Sequence, residues 1–305
     1  MGHHHGHSHD HGHHHSANKK ALFSAFLIIS IFMVVEVIGG FLTNSLALLS
    51  DAGHMLSDAA ALGLSFAAIK MGEKKASVTK TYGYKRFEIL AALLNGLALL
   101  LIAVFIIIEA VKRFYSPPEV QSLGMLTISA VGLAINIIAA WILMKGDKEE
   151  NLNIRSAFLH VIGDMLGSVG AIIAALLIYF LGWSAADPVA SIIVSCLIAV
   201  SGWRVVKDSV HILMEGTPVQ INLEELKEGI LQLEKVNDIH DLHVWTITSG
   251  FLSASCHIVI TEDRDQDEVL SEVQMFLHDQ FGIEHCTIQI ERFSAGCPNP
   301  HETCN

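Results

Sequence analysis

Six stretches of the chain hold apolar residues almost without interruption, each close to the ~20 residues a helix needs to cross a bilayer. They cover roughly Leu22–Phe41, Leu46–Ile69, Ile89–Val111, Leu123–Met144, Ile154–Leu181 and Pro188–Val206. The links Thr43–Asn44–Ser45 and Gly182–Trp183–Ser184 are short enough to make the helices they join antiparallel. Past Asp208 the pattern changes. NLEELKEGILQLEKV sets Leu223, Leu226, Ile230 and Leu233 on one helical face. IHDLHVWTIT and FLSASCHIVIT read as strands joined at Ser249–Gly250, EVLSEVQMFLHDQF as a second helix and CTIQIERF as a third strand. The predicted fold is a six-helix transmembrane bundle (all-α) followed by a small α+β domain, in the order α-β-β-α-β, with both helices on one face of the sheet. The expected divisions are a tail at 1–18, the membrane domain at 19–208, the α+β domain at 209–293 and a second tail at 294–305.

Composition agrees with a polytopic membrane protein. The chain is 51% apolar and only 16% charged, against about 25% charged in an average soluble domain. A histidine tract, rather than a short basic segment before an apolar core, opens the sequence, so no cleavable signal peptide is expected. The first span would then act as its own insertion signal. Lys19, Lys20, Lys74, Lys75, Lys80, Lys85, Arg86, Lys145, Lys148, Arg155, Arg204 and Lys207 all fall on one side of the predicted bundle. The other side offers Lys112 and Arg113. Basic residues collect on the cytoplasmic side, which puts both termini in the cytoplasm of a cell-membrane protein.

The net charge of -12 is uneven: residues 208–305 hold 18 of the 31 acids and four basic residues, Lys227, Lys235, Arg264 and Arg292. That end suits cations and excludes nucleic acid as a partner. Five cysteines, an odd number, read as reduced thiols of a cytoplasmic domain.

Against this background the stretch SDAGHMLSDA is expensive, because each ionisable group inside a membrane costs roughly 2.5–3.5 kcal/mol or more. On a helix Asp58 lies about 40° from His54 and Asp51 about 60° from it on the same side. Span two therefore carries one small, polar stripe that must face the bundle interior. RSAFLHVIGDMLGSVGA repeats the device, with His160 and Asp164 one turn apart. Gly163 and Gly167 near that face would let another helix approach closely. If the two faces meet, His54, Asp58, His160 and Asp164 form a two-histidine, two-carboxylate site that suits Zn²⁺. Asp51 is expected to support these ligands from outside the coordination sphere. A zinc hydrolase is disfavoured, since no His-Glu-x-x-His pair and no spare intramembrane Glu supply a base. Glu36, Asn95, Glu109 and Asn136 are read as possible interhelical contacts, and Glu109 as a helix-end partner of Lys112 and Arg113.

Further histidines lie outside the spans. MGHHHGHSHDHGHHHS has nine in sixteen residues and reads as a disordered metal-binding tail. In the α+β domain, His240, His257 and Glu291 would share a metal if the strands pair suitably. Glu284, His285, Cys297, His301 and Cys304 would contribute to another. His240 and His243, three apart on a strand, are expected on opposite faces and so not on one metal.

The chain resembles the cation diffusion facilitators, and most of all their bacterial zinc/cadmium/cobalt efflux branch, the CzcD-like transporters. SLALLSDAGHMLSDA, YGYKRFEILAALLNG, LNIRSAFLHVIGDMLGSVG, WSAADP, HDLHVWTITSG and HCTIQIE carry the resemblance. It implies a homodimer of six-helix protomers, each with a cytoplasmic metallochaperone-like, ferredoxin-like domain that senses metal and dimerises. It also implies metal–proton antiport by alternating access, no enzymatic activity and no organic cofactor. His54 and Asp58 fall at the family's span-two ligands, His160 and Asp164 at its span-five ligands. Manganese-selective members typically place a carboxylate where His54 stands, so Zn²⁺ is the expected cargo and regulatory ion, with Cd²⁺ and Co²⁺ as further candidates. The loop GEKKASVTKTYGYK has no histidine or cysteine, so a metal site some relatives have there is not carried over. Gln289 and Glu291 stand where a relative's binuclear site has histidine and aspartate, which departs from a bridged pair of metals. The competing reading is a membrane-bound divalent-metal sensor without transport.

Overall fold

A computed structural model describes residues 12–72, 74–144, 152–261 and 265–292, without the side chains of 12–26, 57, 58, 60–69, 72, 143 and 152–160. Six long helices occupy the six apolar windows: α1 (Gly12–Thr43), α2 (Leu46–Gly72), α3 (Phe87–Tyr115), α4 (Ser122–Met144), α5 (Leu152–Leu181) and α6 (Ala186–Leu213). Among the described residues four helical stretches are long and apolar enough to cross a membrane, namely Phe87–Tyr115, Ser122–Ile142, Val161–Leu181 and Ala186–Leu213. Leu27–Thr43 is apolar but shorter. α6 runs past the predicted end at Val206, because the charged Lys207 and Asp208 end an apolar run without breaking a helix.

The chain divides into two compact units, 1–62 with 95–203, and 63–94 with 204–305. In the first, small residues let helices touch. A Cβ at Gly202 of α6 would stand 3.0 Å from Leu99 Cβ and 3.1 Å from the Gly96 carbonyl of α3. Leu99, Ala103 and Ile198 fill the rest of that contact. At one end of the bundle Ala47 and Leu48 of α2 share a buried cluster with Met125 of α4, Ala171, Ala174 and Ala175 of α5, and Ala186 of α6.

The same end is tied by one carboxylate. Asp187, 0% exposed, accepts from Ser45 Oγ at 2.6 Å, Leu46 N at 2.9 Å and Ala47 N at 3.1 Å. It thus satisfies amides at the start of α2 that the helix cannot satisfy itself. Arg113 of α3 places Nη1 3.7 Å from Asp187 and donates from the same nitrogen to the Asn44 carbonyl at 2.7 Å. Asn44 takes a left-handed φ of 57° to turn the chain between α1 and α2. Glu109 pairs with Lys112 at 3.7 Å and with Arg113 at 3.5 Å, as the helix-end reading expects.

In the second unit α7 (Leu223–Leu231), β1 (Asp238–Thr248), β2 (Phe251–Ile260), α8 (Gln266–Phe281) and β3 (His285–Arg292) follow in the predicted order. Asn222 caps α7 by accepting from Glu224 N at 3.1 Å, and Asp265 caps α8 by accepting from Asp267 N at 3.0 Å. Gly282, at φ 65°, ends α8. α7 stops at Leu231, short of the predicted Val236; the chain turns there, with Leu233 N donating to Ile230 O and Val236 N to Leu233 O, both at 3.1 Å.

The sheet order is β1-β2-β3, with β1 antiparallel and β3 parallel to β2. A parallel neighbour requires a crossover, and α8 supplies it. Leu226, Ile230, Val269, Val273 and Leu277 cover one face, packed on Ile239, Val244, Ala254, Cys256, Ile258 and Ile260. Each fully buried large apolar side chain here contributes about 1.5–3 kcal/mol. Burial, with Cys286 nearby, pushes the Cys256 thiol up to about 12. Cys196, Cys256 and Cys286 are free thiols.

The opposite sheet face carries polar side chains. Alternation alone places Val259, His257, Ser255 and Ser253 of β2 there, together with Glu291, Gln289, Thr287 and His285, which pair with them in that order on β3.

Candidate metal centres

Two groups of ligand-type side chains emerge, one in each unit. In the first, α2 and α5 approach through their small faces. A Cβ at Gly167 would stand 2.6 Å from Asp51 Oδ1, whereas at Gly163 nothing among the described residues lies within 4 Å. Among the described residues Gly167 is therefore the point of close approach. One turn before Gly167, Asp164 Oδ1 lies 4.0 Å from His54 Nε2. Asp164 and Asp51 are 1% and 3% exposed. Ser50 Oγ lies 3.4 Å from Ser195 Oγ of α6, which extends the polar stripe along α2. The structure thus brings His54, Asp164 and Asp51 into one interior region. Asp58 and His160 sit one helical turn from His54 and Asp164 along the same helices, and their side chains lie outside the described residues.

Gly167 gives the site a sharp steric test. Gly167→Ala is expected to push Asp51 aside and weaken zinc binding at the intramembrane site by about tenfold, the scale on which groups behind metal ligands act. Isothermal titration of purified protein checks this. Unchanged affinity would mean that Asp51 is free to move.

The second group lies on the open face of the sheet. Ligand atoms of His240, His257 and Glu291 all fall within 4.8 Å of one another. His257 Nδ1 is 3.0 Å from Glu291 Oε1, and His240 Nε2 is 3.5 Å from Glu291 Oε2. Tetrahedral ligands about 2.0–2.1 Å from Zn²⁺ stand roughly 3.4 Å apart, so these separations fit one small ion. His240 Nε2 is buried without a hydrogen-bond partner, as a nitrogen reserved for a metal would be. Gln289 donates to Glu291 Oε1 at 2.8 Å and orients the carboxylate.

A bulge makes this possible and overturns one expectation. His240 pairs with His257, but His243 pairs with Ser255, so three steps on β1 match two on β2. Asp241, at φ 52°, is where the extra residue is absorbed. His240 and His243 consequently share a face, because the alternation argument holds only for an unbroken strand. Ile239 and Val244 are both buried; five residues apart, they reach the same core only through this phase shift. Asp241 went unnoticed in the sequence. Its carboxylate lies 3.0 Å from His243 Nε2 and 3.7 Å from His257 Nε2, holding the outer nitrogen of the His257 ring. HDLH, a carboxylate beside two histidines, was the signal available.

His285 stands apart from this group. Its ring stacks on Phe251 with centroids 5.9 Å apart, and its Nε2 lies 3.4 Å from the Tyr82 hydroxyl. Nearby, Glu88 accepts from Ser249 Oγ at 2.8 Å and from Thr248, Arg86 pairs with Glu215 at 3.0 Å, and Lys85 lies 3.6 Å above the Phe251 ring. Glu284, His285, His278 and Cys286 line one hollow. Cys297, His301 and Cys304, the remaining expected contributors, lie outside the described residues, as does the histidine-rich segment up to residue 11.

Long apolar helices with imidazole and carboxylate drawn together in their interior define an integral membrane protein that handles metal ions. The chain belongs to the cation efflux family and is a metal-efflux transporter of that family. Residues 22–214 match its transmembrane domain and residues 218–293 the cytoplasmic domain of the cation efflux proteins. It is 55% identical over 295 residues to the "Cadmium, cobalt and zinc/H(+)-K(+) antiporter" of Bacillus velezensis, covering 95% of this chain and 92% of that one. It is 43% identical to "Zinc transporter ZitB" of Escherichia coli, covering 99% of this chain and 96% of that one. It is 41% identical to "Metal cation efflux system protein CzcD" of Cupriavidus metallidurans, covering 95% and 90%. A solved structure of the metal-bound C-terminal domain of the CzcD transporter is 40% identical over 23% of this chain and 99% of that one, with a TM-score of 0.23.

Proposed function

We propose that this chain exports Zn²⁺, and with it Cd²⁺ and Co²⁺, in exchange for protons by alternating access at His54, Asp58, His160 and Asp164. The observation that carries the reading is the meeting of His54 on α2 with the buried Asp164 on α5. The names of the relatives support the cargo, since one is called a cadmium, cobalt and zinc antiporter and another a zinc transporter.

The chemistry follows from the ligands. Imidazole binds metal only when neutral and carboxylate only when ionised, so metal and protons compete for the same groups. Metal loads from the cytoplasm, the bundle rearranges, and protons from outside displace it. Neither reaction nor transport requires an organic cofactor.

The same reading assigns 19–208 to transport and 209–293 to a cytoplasmic domain that senses metal and joins two chains in a homodimer. Both termini face the cytoplasm of the cell membrane, and the tails at 1–18 and 294–305 flank the two domains. In the second domain His240, His257 and Glu291 would hold a resident Zn²⁺, which would cross-link β1 to β3 across β2. Saturating zinc is expected to raise the apparent Tm of the wild-type protein, since a ligand at 100 times its Kd stabilises by about 2.7 kcal/mol. In Glu291→Ala much of that increment should vanish. Differential scanning fluorimetry reads both, and an equal increment in the two proteins would remove Glu291 from the site.

Zn²⁺ uptake into proteoliposomes, with and without an imposed pH gradient, tests the transport reading. Uptake that responds to the gradient supports antiport, and flux indifferent to it overturns antiport. Metal binding without any flux favours the membrane-bound sensor, a reading to which the His240–His257–Glu291 group lends independent weight.

A further inference from the structure

Glu36 of α1 is 1% exposed, and neither of its carboxylate oxygens has a hydrogen-bond partner. α1 comes against α4 at this level. A Cβ on Gly132 would stand 2.7 Å from the Phe32 ring and 3.2 Å from Glu36 Oε1, so the glycine makes the space in which the carboxylate sits. One turn beyond Gly132 on the same face, Asn136 is also 1% exposed, and its Oδ1 too lacks a donor. Two helices therefore turn acceptor oxygens inward without an N–H or O–H among the described residues to meet them.

The charged surroundings sharpen the problem. α4 contains no ionisable side chain between Ser122 and Met144. On α5 the ionisable groups whose side chains are described are Asp164 and Tyr179, those of Arg155 and His160 lying outside the described residues, and on α2 as far as Leu56 they are Asp51 and His54. Asp51 and Asp164 are the charged neighbours that act on Glu36. Among the described side chains of these stretches there is no lysine or arginine. Among the described residues nothing offers Glu36 a positive charge, and a bare buried carboxylate near two others is costly in a low-dielectric interior; a cation taken up from solution would supply the compensation.

We infer that Glu36 is the seat of a monovalent counter-cation, distinct from the divalent-metal ligands. The oxygen-only donors set the class. Protons and hard alkali cations accept such a site, whereas Zn²⁺ sites set nitrogen or sulfur beside their carboxylates. The proton is the first candidate. α1 supplies none of the proposed metal ligands, so the two ions need not displace each other from a shared atom. They communicate through the field, since a divalent charge arriving beside Asp164 repels a cation held on Glu36. This rests on the transport reading for the order of events, but the binding coupling stands without it.

The test is the number of protons released per Zn²⁺ bound to the full-length protein in weakly buffered detergent solution, for wild type and Glu36→Gln. The expected result is one proton per protomer fewer in the variant at unchanged zinc stoichiometry. Parallel runs in potassium and in N-methylglucamine salts separate the sources. A deficit in both assigns the proton, and a deficit seen in N-methylglucamine but absent in potassium assigns an alkali cation to the same oxygens. Equal release in wild type and variant in both salts overturns the proposal. If Glu36→Gln fails to elute as a single species, Glu36→Asp serves, with a displaced pH midpoint of release expected and an unchanged midpoint overturning it. Wild-type protein that binds zinc but carries no flux would sink the transport reading alone and leave the proton count to decide Glu36.

Discussion

Asp164→Ala is expected to reduce gradient-driven Zn²⁺ uptake at least ~100-fold while leaving the protein folded. The magnitude follows from what the carboxylate does. Groups that merely orient a ligand cost about 10–100-fold when removed, and Asp164 is proposed as a ligand itself. It is also 1% exposed and stands 4.0 Å from His54, so its loss removes the anion that faces the imidazole across α2 and α5. Folding should survive, because burying an ionised carboxylate is costly and alanine relieves that burden. Uptake in proteoliposomes, normalised to protein eluting as a single species, reads the effect. Asp164→Asn separates charge from shape: it should be nearly as inactive, since an amide does not replace an ionised ligand. Wild-type rates in either variant would place the transport path elsewhere.

The second large effect concerns stability. Asp187→Ala should lower stability by about 3–5 kcal/mol, the usual cost of stranding a buried charge. The substitution leaves Ser45 Oγ and the amides of Leu46 and Ala47 without their acceptor. It also leaves Arg113, whose side chain is 11% exposed, without that counter-charge. A lower apparent Tm in detergent should be accompanied by faster proteolysis at the Thr43–Ser45 turn. Asp187→Asn keeps one acceptor oxygen and should lose roughly half as much, on the scale of one hydrogen bond to a charged group. A melting temperature equal to wild type in both variants would show that the clamp is dispensable.

Much of this architecture could be read from the residues because it rests on periodicity. The apolar windows located all six helices, and the spacings His54–Asp58 and His160–Asp164 drew attention to α2 and α5, where His54 meets Asp164. The α-β-β-α-β order was equally legible, with boundaries off by a residue or two except at α7. Other features depend on contacts between distant segments, which one sequence does not reveal. Asp187 was visible in WSAADP as part of a resemblance, but nothing local says that it caps α2, some 140 residues away. The bulge at Asp241 was hidden for a different reason: alternation is a default, and one extra residue breaks it silently. Glu36 looked like an ordinary interhelical contact until its lack of any partner came into view.

That bulge decides where the α+β domain can change length. Three steps from His240 to His243 stand against two on β2, so one residue of the Asp241–Leu242 pair is surplus to the ladder. Removing it would leave His240 opposite His257 and His243 opposite Ser255, and Ile239 and Val244 would both stay in the core. The same single-codon deletion in the unbroken run from His243 to Thr246 would instead turn the side chains beyond it to the other face, as far as the next irregularity at Ile247. What the deletion at the bulge would take away is the backbone that sets the Asp241 carboxylate beside His243 and His257. A lost residue at this place therefore spares the interior and falls on the metal group.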